Sequence, residues 1–575
     1  MTKTQRFERI RLIPGALFAA LLVVACGPKD PPADEQPLQQ VADVERVAAV
    51  AIPDKYGAQV AEDVLRAGGN AVDAAVAVGF SLAVTYPIAG NIGGGGLMMI
   101  HKDGQPEFVD YREKAPLAAD RDMYLDVNGD FIERSSLVGS QAAGVPGTVA
   151  GLWAAHQRHG TLPWKDLVMP AVTLAEEGFM PHQDLVDDVN EQRDWFGDAT
   201  NFADYFGSIS TEELFRQPEL ATTLRRVAEQ GPDGFYRGET ADLFVAQMER
   251  SSGLITAEDL DSYGAVWREP LRVDWREYEI LAAPPPSSGG FAIVQLLKMK
   301  DYLAHFFEGV PHNSPQYIHL VAEMEKRVFA DRAEYLGDPD FVDNRIDELV
   351  DDDYIARRAL EIRPDVISDL GDVQPGLVSP DTTHYSIVDQ WGNAVSNTYT
   401  LNWEFGCGVV VEGAGFLLNN EMDDFSAKPG IPNKFGVVGS VANEIQPGKR
   451  MLSSMSPTIL LKDGDVSMVV GTPGGSTIFT TVFQVIVNVL DHGMTPLEAA
   501  DATRFHHQLL PPDVIMTQPD SPLSEETISL LGDRGYRTEA IWNFGDVQII
   551  YDDGESVQAA SDPRHRGQSL SLIHI

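Results

Sequence analysis

The stretch SPDTTHYSIVDQWGNAVSNTYTLNWEFG, Ser379–Gly406, decides how the whole chain is read. Ser-Pro-Asp is turn-forming, THYSIVD and AVSNTYTLN have the texture of strands, and Gln390–Trp391–Gly392–Asn393 is the turn between them. Folding the hairpin about Trp391 sets Thr382 opposite Thr400, since the two are equidistant from it. Thr400 and Asn402, two apart, then share a face with that pairing, and a slip of one residue would turn the face over. Two threonines at the point where a loop becomes a strand have a plain explanation, because threonine favours strands. They also have a chemical one. A threonine hydroxyl is a weak nucleophile that needs a base, and a free α-amino group, with a reference pKa of about 8, is such a base. A chain cut before Thr382 would carry hydroxyl and base on one residue, and the base would not exist until the cut was made.

The N-terminus reads as an address. Basic residues in MTKTQRFERIR precede the apolar run LIPGALFAALLVVA, which ends at Cys26 and is short for a membrane span. Val23-Val24-Ala25-Cys26 resembles a bacterial lipobox, so residues 1–25 are expected to be a lipoprotein signal peptide and Cys26 the lipidated residue; an ordinary signal peptide with an incidental cysteine is the alternative. Gly27, not Asp, follows, so no inner-membrane retention signal is seen, and the expected location is the periplasmic side of a bacterial outer membrane, held by lipid alone. Residues 26–45 are rich in proline and charge and read as a flexible tether.

A length of 575 residues implies two to four domain-sized units by default, and an apolar fraction of 43% is that of a folded chain. The formal net charge of −43 argues against nucleic acid or an anionic membrane surface as a partner. With only Cys26 and Cys407 present, acylation of Cys26 leaves no intramolecular disulfide and no cysteine-rich metal site. Cys407 reads as a buried, inert thiol in preference to a nucleophile. His506-His507 lack an evident third ligand and, on a helix, would diverge, so neither a metal nor a cofactor is expected.

Upstream of the hairpin, RVAAVAI reads as a strand, GAQVAEDVLRAG as a helix, and AVDAAVAVGFSLAV as a helix buried on nearly all sides, opened by Asn70 with Asp73 and ended by Pro87. Gly93–Gly96 lead into a strand, and no Lys-Ser or Lys-Thr follows, so close backbone packing or a tight turn is preferred to a phosphate cradle. Residues 140–360 read as mainly helical, interrupted by the loop APPPSSGG at 283–290. Beyond 383, strands alternate with glycine turns, among them GVVVEG and PTILLKDGDVSMVVG, before the capped helix TPLEAADATRFHH opened by Thr495, Pro496 and Glu498. Sheets sandwiched by helices are the expected architecture.

SPDTTHYSIVD, TYTLN, LLNNEMDDFSAKPG, GKRMLSSMSPTI and GTPGGS occur in that order, preceded by GGNAVDAAVA, NIGGGGLMMI, VDYREKAP, GVPGTVAGL, PPPSSGG and ADRAEYLGDPDF. Together they resemble the γ-glutamyltranspeptidases, or glutathione hydrolases, of the N-terminal nucleophile hydrolase superfamily, over nearly all of residues 46–566. The resemblance implies an α+β fold, a four-layer αββα sandwich, autoprocessed between Asp381 and Thr382 into a large subunit, 46–381, and a small catalytic subunit, 382–575, that stay together as a heterodimer. Position by position, it makes Thr382 the nucleophile and Thr400 the residue that tunes its amino group. Arg112 would hold the substrate α-carboxylate with Ser453 and Ser454, and Asn402, Glu421 and Asp424 the α-ammonium. Gly474 and Gly475 would form the oxyanion hole. These types suit a γ-glutamyl group: arginine makes a two-pronged pair with a carboxylate, acids suit an ammonium, and glycines bring backbone N–H groups close to a developing oxyanion.

Taken singly, each position has a bland reading: Arg112-Glu113 a surface ion pair, Asp423-Asp424 a loop charge pair, Ser453-Ser454 a turn. Two departures from the family pattern stand out. Phe435, in a segment 429–452 that resembles a lid, stands where some bacterial members carry Tyr, and Glu421 replaces the Gln of some members. The activity implied is attack of Thr382 on the γ-glutamyl amide of glutathione and related compounds, with transfer to water or to an amino acid or dipeptide. A glutaryl or cephalosporin acylase on the same fold, and a surface-binding lipoprotein with a dead site, are the rival readings.

Overall fold

The computed structural model describes residues 47–369, 383–426, 441–541 and 544–572. The signal and tether, Cys26, Asp381, Thr382 and Phe435 lie outside the described residues, as does the lid segment up to residue 440.

Strands in chain order are β1 (Ala48–Ile52), β2 (Gly95–Lys102), β3 (Gln105–Tyr111), β4 (Val266–Arg268), β5 (Leu271–Trp275), β6 (Tyr278–Ala282), β7 (Thr383–Val388), β8 (Ala394–Thr400), β9 (Thr458–Lys462), β10 (Asp465–Gly471), β11 (Phe505–His506), β12 (Val514–Thr517), β13 (Arg537–Ala540), β14 (Gln548–Asp552), β15 (Val557–Ser561) and β16 (Gln568–Leu572). The first sheet runs β16-β1-β7-β8-β2-β3-β4, the second β15-β14-β10-β9-β6-β5, and β11-β12-β13 form a small third one. The β7–β8 hairpin pairs Thr383 with Tyr399 and His384 with Thr398, the register that the turn at Trp391 dictates.

The period-two alternation of these strands builds the layers. In β1, Ala48, Val50 and Ile52 join one apolar core while Ala49 and Ala51 join another. Met98 and Ile100 of β2 and Tyr385 and Ile387 of β7 belong to the first core, which the helices Lys55–Arg66, Ala71–Thr85 and Thr148–His159 close from outside. Leu97, Met99 and Val388 meet Ile459, Leu461, Val469 and Ile550 of the second sheet between the two sheets. Leu460, Met468, Val470 and Ile549 face a third core under the helices Gly289–Tyr302, Pro315–Tyr335 and Thr477–Leu490. The αββα expectation is met.

The helix Ala71–Thr85 is buried at every position and opens on the capping box read from Asn70 and Asp73. Its small residues let it lie flat on the hairpin: the hydroxyls of Tyr385 and Tyr399 donate to the carbonyls of Ala75 and Gly79, at 2.9 and 3.0 Å. Gly93–Gly96 serve close packing. A Cβ on Gly93 or Gly94 would stand 2.0 Å from the carbonyl oxygens of Leu417 and Thr400, which no side chain can accept.

Three expectations change. Residues 140–360 contain β4, β5 and β6, whose half-polar sequence was masked by the capped helices around it; β5 and β6 pair as an edge hairpin of the second sheet. GVVVEG is not a strand. Gly408 and Gly413 take positive φ, and Val410 makes only an isolated bridge with Leu417. The helix opened by Thr495 and Glu498 ends at Asp501, and Phe505–His506 form β11, paired with β12. The histidines therefore lie at the end of a strand and just past it, not on a helix. His506 Nδ1 and Nε2 lie 2.9 and 3.1 Å from Thr480 Oγ1 and Gln508 Oε1, while Leu509 N donates to His507 Nδ1.

Replacing Gly94 by Ala is expected to lower the thermal midpoint far more than Gly104→Ala. The first must displace the Thr400 carbonyl, whereas the second, at φ +74° in open space, costs only about 1 kcal/mol. Melts of the two variants side by side check this, and equal midpoints would remove the close-packing role.

Candidate active site

Arg112 leaves the end of β3 with its backbone held at both poles. Its N–H donates to Asp110 Oδ1 at 2.9 Å, and its carbonyl accepts from the Tyr263 hydroxyl at 2.7 Å. The side chain is buried. Nη1 pairs with Glu421 and Nη2 with Asp424, while Nε and Nη2 also donate to the carbonyls of Met451 and Leu452, both at 3.3 Å. Glu113 Oε2 lies 3.5 Å from Nη1. Arg112-Glu113 is thus no surface pair: one guanidinium serves three buried carboxyl groups.

Burial alone would weaken the charge on Arg112, but Glu421, Asp424 and Glu113 outweigh it and hold the guanidinium firmly protonated. Burial pushes the Glu113 carboxyl up to about 8 despite the pull of Arg112, and pushes Glu421 well above the usual carboxylate range. Neither oxygen of Glu113, nor Glu421 Oε2, has a hydrogen-bond partner among the described residues.

Asp423 and Asp424 part company: Asp423 accepts from the Ser136 hydroxyl, and Asp424 turns to Arg112. Asn443 ties two walls of the site together, donating to the Asp424 carbonyl at 2.7 Å and accepting from Leu452 N at 3.0 Å. The serine pair follows directly. Ser453 N donates to the Pro286 carbonyl, and its own carbonyl accepts from Ser288 N and Oγ, each at 2.8 Å, so the loop 283–290 clamps it. Ser454 Oγ accepts from Arg332 Nη2 at 3.1 Å.

Asn402 sits at φ +78°, just past β8, where asparagine tolerates the left-handed region. Its N–H donates to Thr400 Oγ1 at 2.7 Å and its Nδ2 to the Asn420 carbonyl at 3.1 Å, which places it beside Glu421. Its Oδ1 is buried without a donor among the described residues. The Thr400 carbonyl accepts from Asn91 at 2.7 Å.

Gly474 and Gly475 form the bend between β10 and the helix Thr477–Leu490, with φ of 131° and 60°. Thr477 N and Oγ1 both hold the Gly474 carbonyl, at 3.0 and 2.8 Å. Among the described residues neither glycine amide donates to an acceptor. The structure therefore gathers Arg112, Glu421, Asp424, Asn402, Thr400 and the 451–454 segment through direct contacts, and holds Gly474–Gly475 at the end of a strand of the facing sheet. Thr382 lies outside the described residues.

Sequence reading missed Asn443 and Arg332. Arg332 lies within the quoted ADRAEYLGDPDF, but its helix also carries Glu323, Glu325, Lys326, Arg327 and Asp331, so its charge did not single it out. Nothing local marked Asn443. The Cys407 thiol is buried, with its pKa pushed up to about 12, in keeping with an inert role.

A four-layer αββα core with a grip for paired opposite charges and a glycine bend at its seam defines an N-terminal nucleophile hydrolase. The model of the Gamma-glutamyltranspeptidase family matches residues 57–572, and the chain belongs to that family. It is 58% identical to a glutathione hydrolase proenzyme of Pseudomonas aeruginosa, covering 91% of this chain and 94% of the relative. It is 43% identical to one of Escherichia coli K12, over 98% of both. Among solved structures, a γ-glutamyltranspeptidase of Pseudomonas nitroreducens complexed with L-DON is 55% identical, with a TM-score of 0.56 over 56% of this chain and 97% of that one. A cephalosporin acylase of Bacillus halodurans is 26% identical, with a TM-score of 0.78 over 95% and 99%.

A raised carboxyl pKa means that the folded state binds the proton more tightly than the unfolded one, so its stabilising share is lost as pH climbs from about 4.5 towards 8. Glu113→Gln removes that loss. Its thermal midpoint relative to the parent is expected to rise between pH 5 and pH 8.5, and a pH-independent difference would contradict the protonated Glu113.

Proposed function

We propose that this enzyme cuts itself before Thr382 and then uses that residue to open γ-glutamyl amides, glutathione among them, passing the γ-glutamyl group to water or to an amino acid or dipeptide. The observation that carries the reading is the buried meeting of Arg112 with Glu421 and Asp424. Those groups are complementary to the α-carboxylate and α-ammonium of a γ-glutamyl group. On binding, the substrate carboxylate takes the guanidinium, with Ser453 and Ser454 beside it, and the ammonium takes Glu421, Asp424 and the free Oδ1 of Asn402. The zwitterion exchanges partners with the protein and leaves no buried charge unpaired.

The amide carbon is then offered to Thr382. Its hydroxyl attacks while its own α-amino group accepts the proton, with Thr400 tuning that amine. The oxyanion collects the N–H groups of Gly474 and Gly475, each worth about 3 kcal/mol. Collapse passes the proton to the leaving amine, cysteinylglycine in the case of glutathione, and leaves a γ-glutamyl ester on Thr382. Water or an acceptor amine attacks that ester by the same route in reverse. No step calls on a metal or a cofactor. The word proenzyme in the names of the relatives supports self-cleavage, and the subunits 46–381 and 382–575 would remain together.

The match to a cephalosporin acylase keeps a second substrate class in view. A glutaryl group lacks the α-ammonium and would leave Glu421 and Asp424 facing no cation, so faster turnover of glutaryl than of γ-glutamyl anilide would overturn the present assignment. On a denaturing gel the parent should give two fragments, the smaller beginning TTHYS, and Thr382→Ala a single band with no turnover. A single, inactive band from the parent would favour a surface-binding lipoprotein. Arg112→Gln should reduce kcat/KM for γ-glutamyl anilide by about 100-fold or more, since it leaves buried carboxylates unpaired. We also place the mature enzyme at the periplasmic side of the outer membrane, anchored by lipid on Cys26. Cys26→Ser is expected to move it from the membrane to the soluble fraction.

A further inference from the structure

The layer between the sheets is mostly apolar, with a polar cluster beneath the start of the hairpin. There the inward positions of β7 and β8 are His384, Ser386, Ser396 and Thr398, all buried. Their hydrogen bonds run in one direction. Ser386 Oγ donates across the seam to the carbonyl of Gln548, on β14, at 3.1 Å, so it accepts from His384 Nε2, 3.1 Å away. His384 Nε2 therefore carries the proton, and Nδ1 accepts from Thr398 Oγ1 at 2.8 Å. Beside them Ser396 Oγ accepts from Thr458 N of β9 at 3.1 Å and lies 3.4 Å from the Val470 carbonyl of β10. Burial drives the imidazole pKa down to about 3, so it stays neutral in this one tautomer.

The ring also has a steric partner. Gly471, the last residue of β10, lies so close that a Cβ there would be 2.2 Å from His384 Cε1. Three residues further along the chain begins the bend Gly474–Gly475, and two residues before His384 comes Thr382.

We propose that His384 is a positioning residue that keys the nucleophile's strand to the strand carrying the oxyanion glycines, setting the distance between attacking oxygen and oxyanion donors across the seam of the two sheets. This rests on the assignment of Thr382 as nucleophile and Gly474–Gly475 as oxyanion hole. Most of the substrate grip has a different support: Arg112 and Asn402 follow β3 and β8 of the nucleophile's own sheet, and Glu421 and Asp424 pair with that arginine, while Ser453 and Ser454 lead into β9 of the second sheet. A slip at the seam therefore bears on chemistry more than on binding.

The test compares His384→Phe, His384→Gln, Ser386→Ala and Gly471→Ala with the parent, with kcat expressed per cleaved molecule. His384→Phe keeps the bulk and loses the hydrogen bonds. It is expected to lower kcat for γ-glutamyl anilide by about 10- to 100-fold with KM within about twofold. His384→Gln, which retains a donor near the Nε2 position, should recover most of that loss. Ser386→Ala and Gly471→Ala should repeat the kcat-selective defect, and they decide the matter if His384→Phe does not fold. Parent-like kcat in all of these, or KM rising in step with the fall in kcat, would overturn the proposal. N-terminal sequencing of the parent's small chain separates the two layers of inference: a start other than Thr382 overturns the nucleophile assignment as well.

Discussion

Everything in this active site depends on the burial of one arginine among three carboxyl groups. Taking such charges from water costs several kcal/mol each, and their mutual attraction repays that only where geometry and extra hydrogen bonds are good. Arg112 meets the condition: the carboxyl groups of Glu421 and Asp424 take its Nη atoms, the carbonyls of Met451 and Leu452 accept from Nε and Nη2, and its backbone is fixed by Asp110 and Tyr263. The rest of the site is arranged to keep it so. Asn443 joins the Asp424 loop to the segment at Leu452, and the 283–290 loop holds the serine that follows, Ser453. A hydrophobic replacement could satisfy the fold, but only ionic groups can trade partners with an incoming zwitterion without leaving a charge stranded.

Sheet topology explains how such a site could survive a break in the chain. A cut between 381 and 382 would leave β1, β2, β3 and β4 on one fragment and β7, β8 and β16 on the other, interleaved as β16-β1-β7-β8-β2-β3-β4. The second sheet is divided too, with β6 of one fragment bonded to β9 of the other. Parting the fragments would expose the edges of β16, β1, β7, β8, β2, β6 and β9 and the apolar cores on both faces. Neither fragment closes a core by itself, so the peptide bond is dispensable once folding is complete.

How much of this was legible beforehand follows the reach of each signal. The hairpin register was set by a turn, Trp391–Gly392, and the Asn70–Asp73 cap by two residues three apart, so local chemistry sufficed. Gly93–Gly96 were readable as close packing because a strand, not a helix, came next. The strands β4 to β6 and β11 escaped because each is short and half-polar; β4 and β6 also take partners far along the chain, β3 and β9, while β5 and β11 pair with near neighbours. GVVVEG misled for the opposite reason: its strand propensity is overruled by glycines at positive φ. The site residues were legible as a family resemblance carried by ordered motifs, whereas Asn443, Arg332 and the polar seam at His384 become visible only when distant segments meet.

The global charge and the local site pull in different directions. With 86 acidic against 43 basic residues the molecule's far field repels anions, and glutathione is one at neutral pH. Long-range steering therefore cannot be what brings this substrate in, and contact has to supply the recognition. Contact recognition in turn needs a cation whose charge is not spent on the surrounding field. Burial achieves this for Arg112: inside the protein, interactions over a few ångströms are screened far less than those at the surface, so three adjacent carboxyl groups and one incoming carboxylate matter more to it than the remainder of the acidic surface. The acidity of the exterior and the buried ionic grip are compatible because they act over different distances.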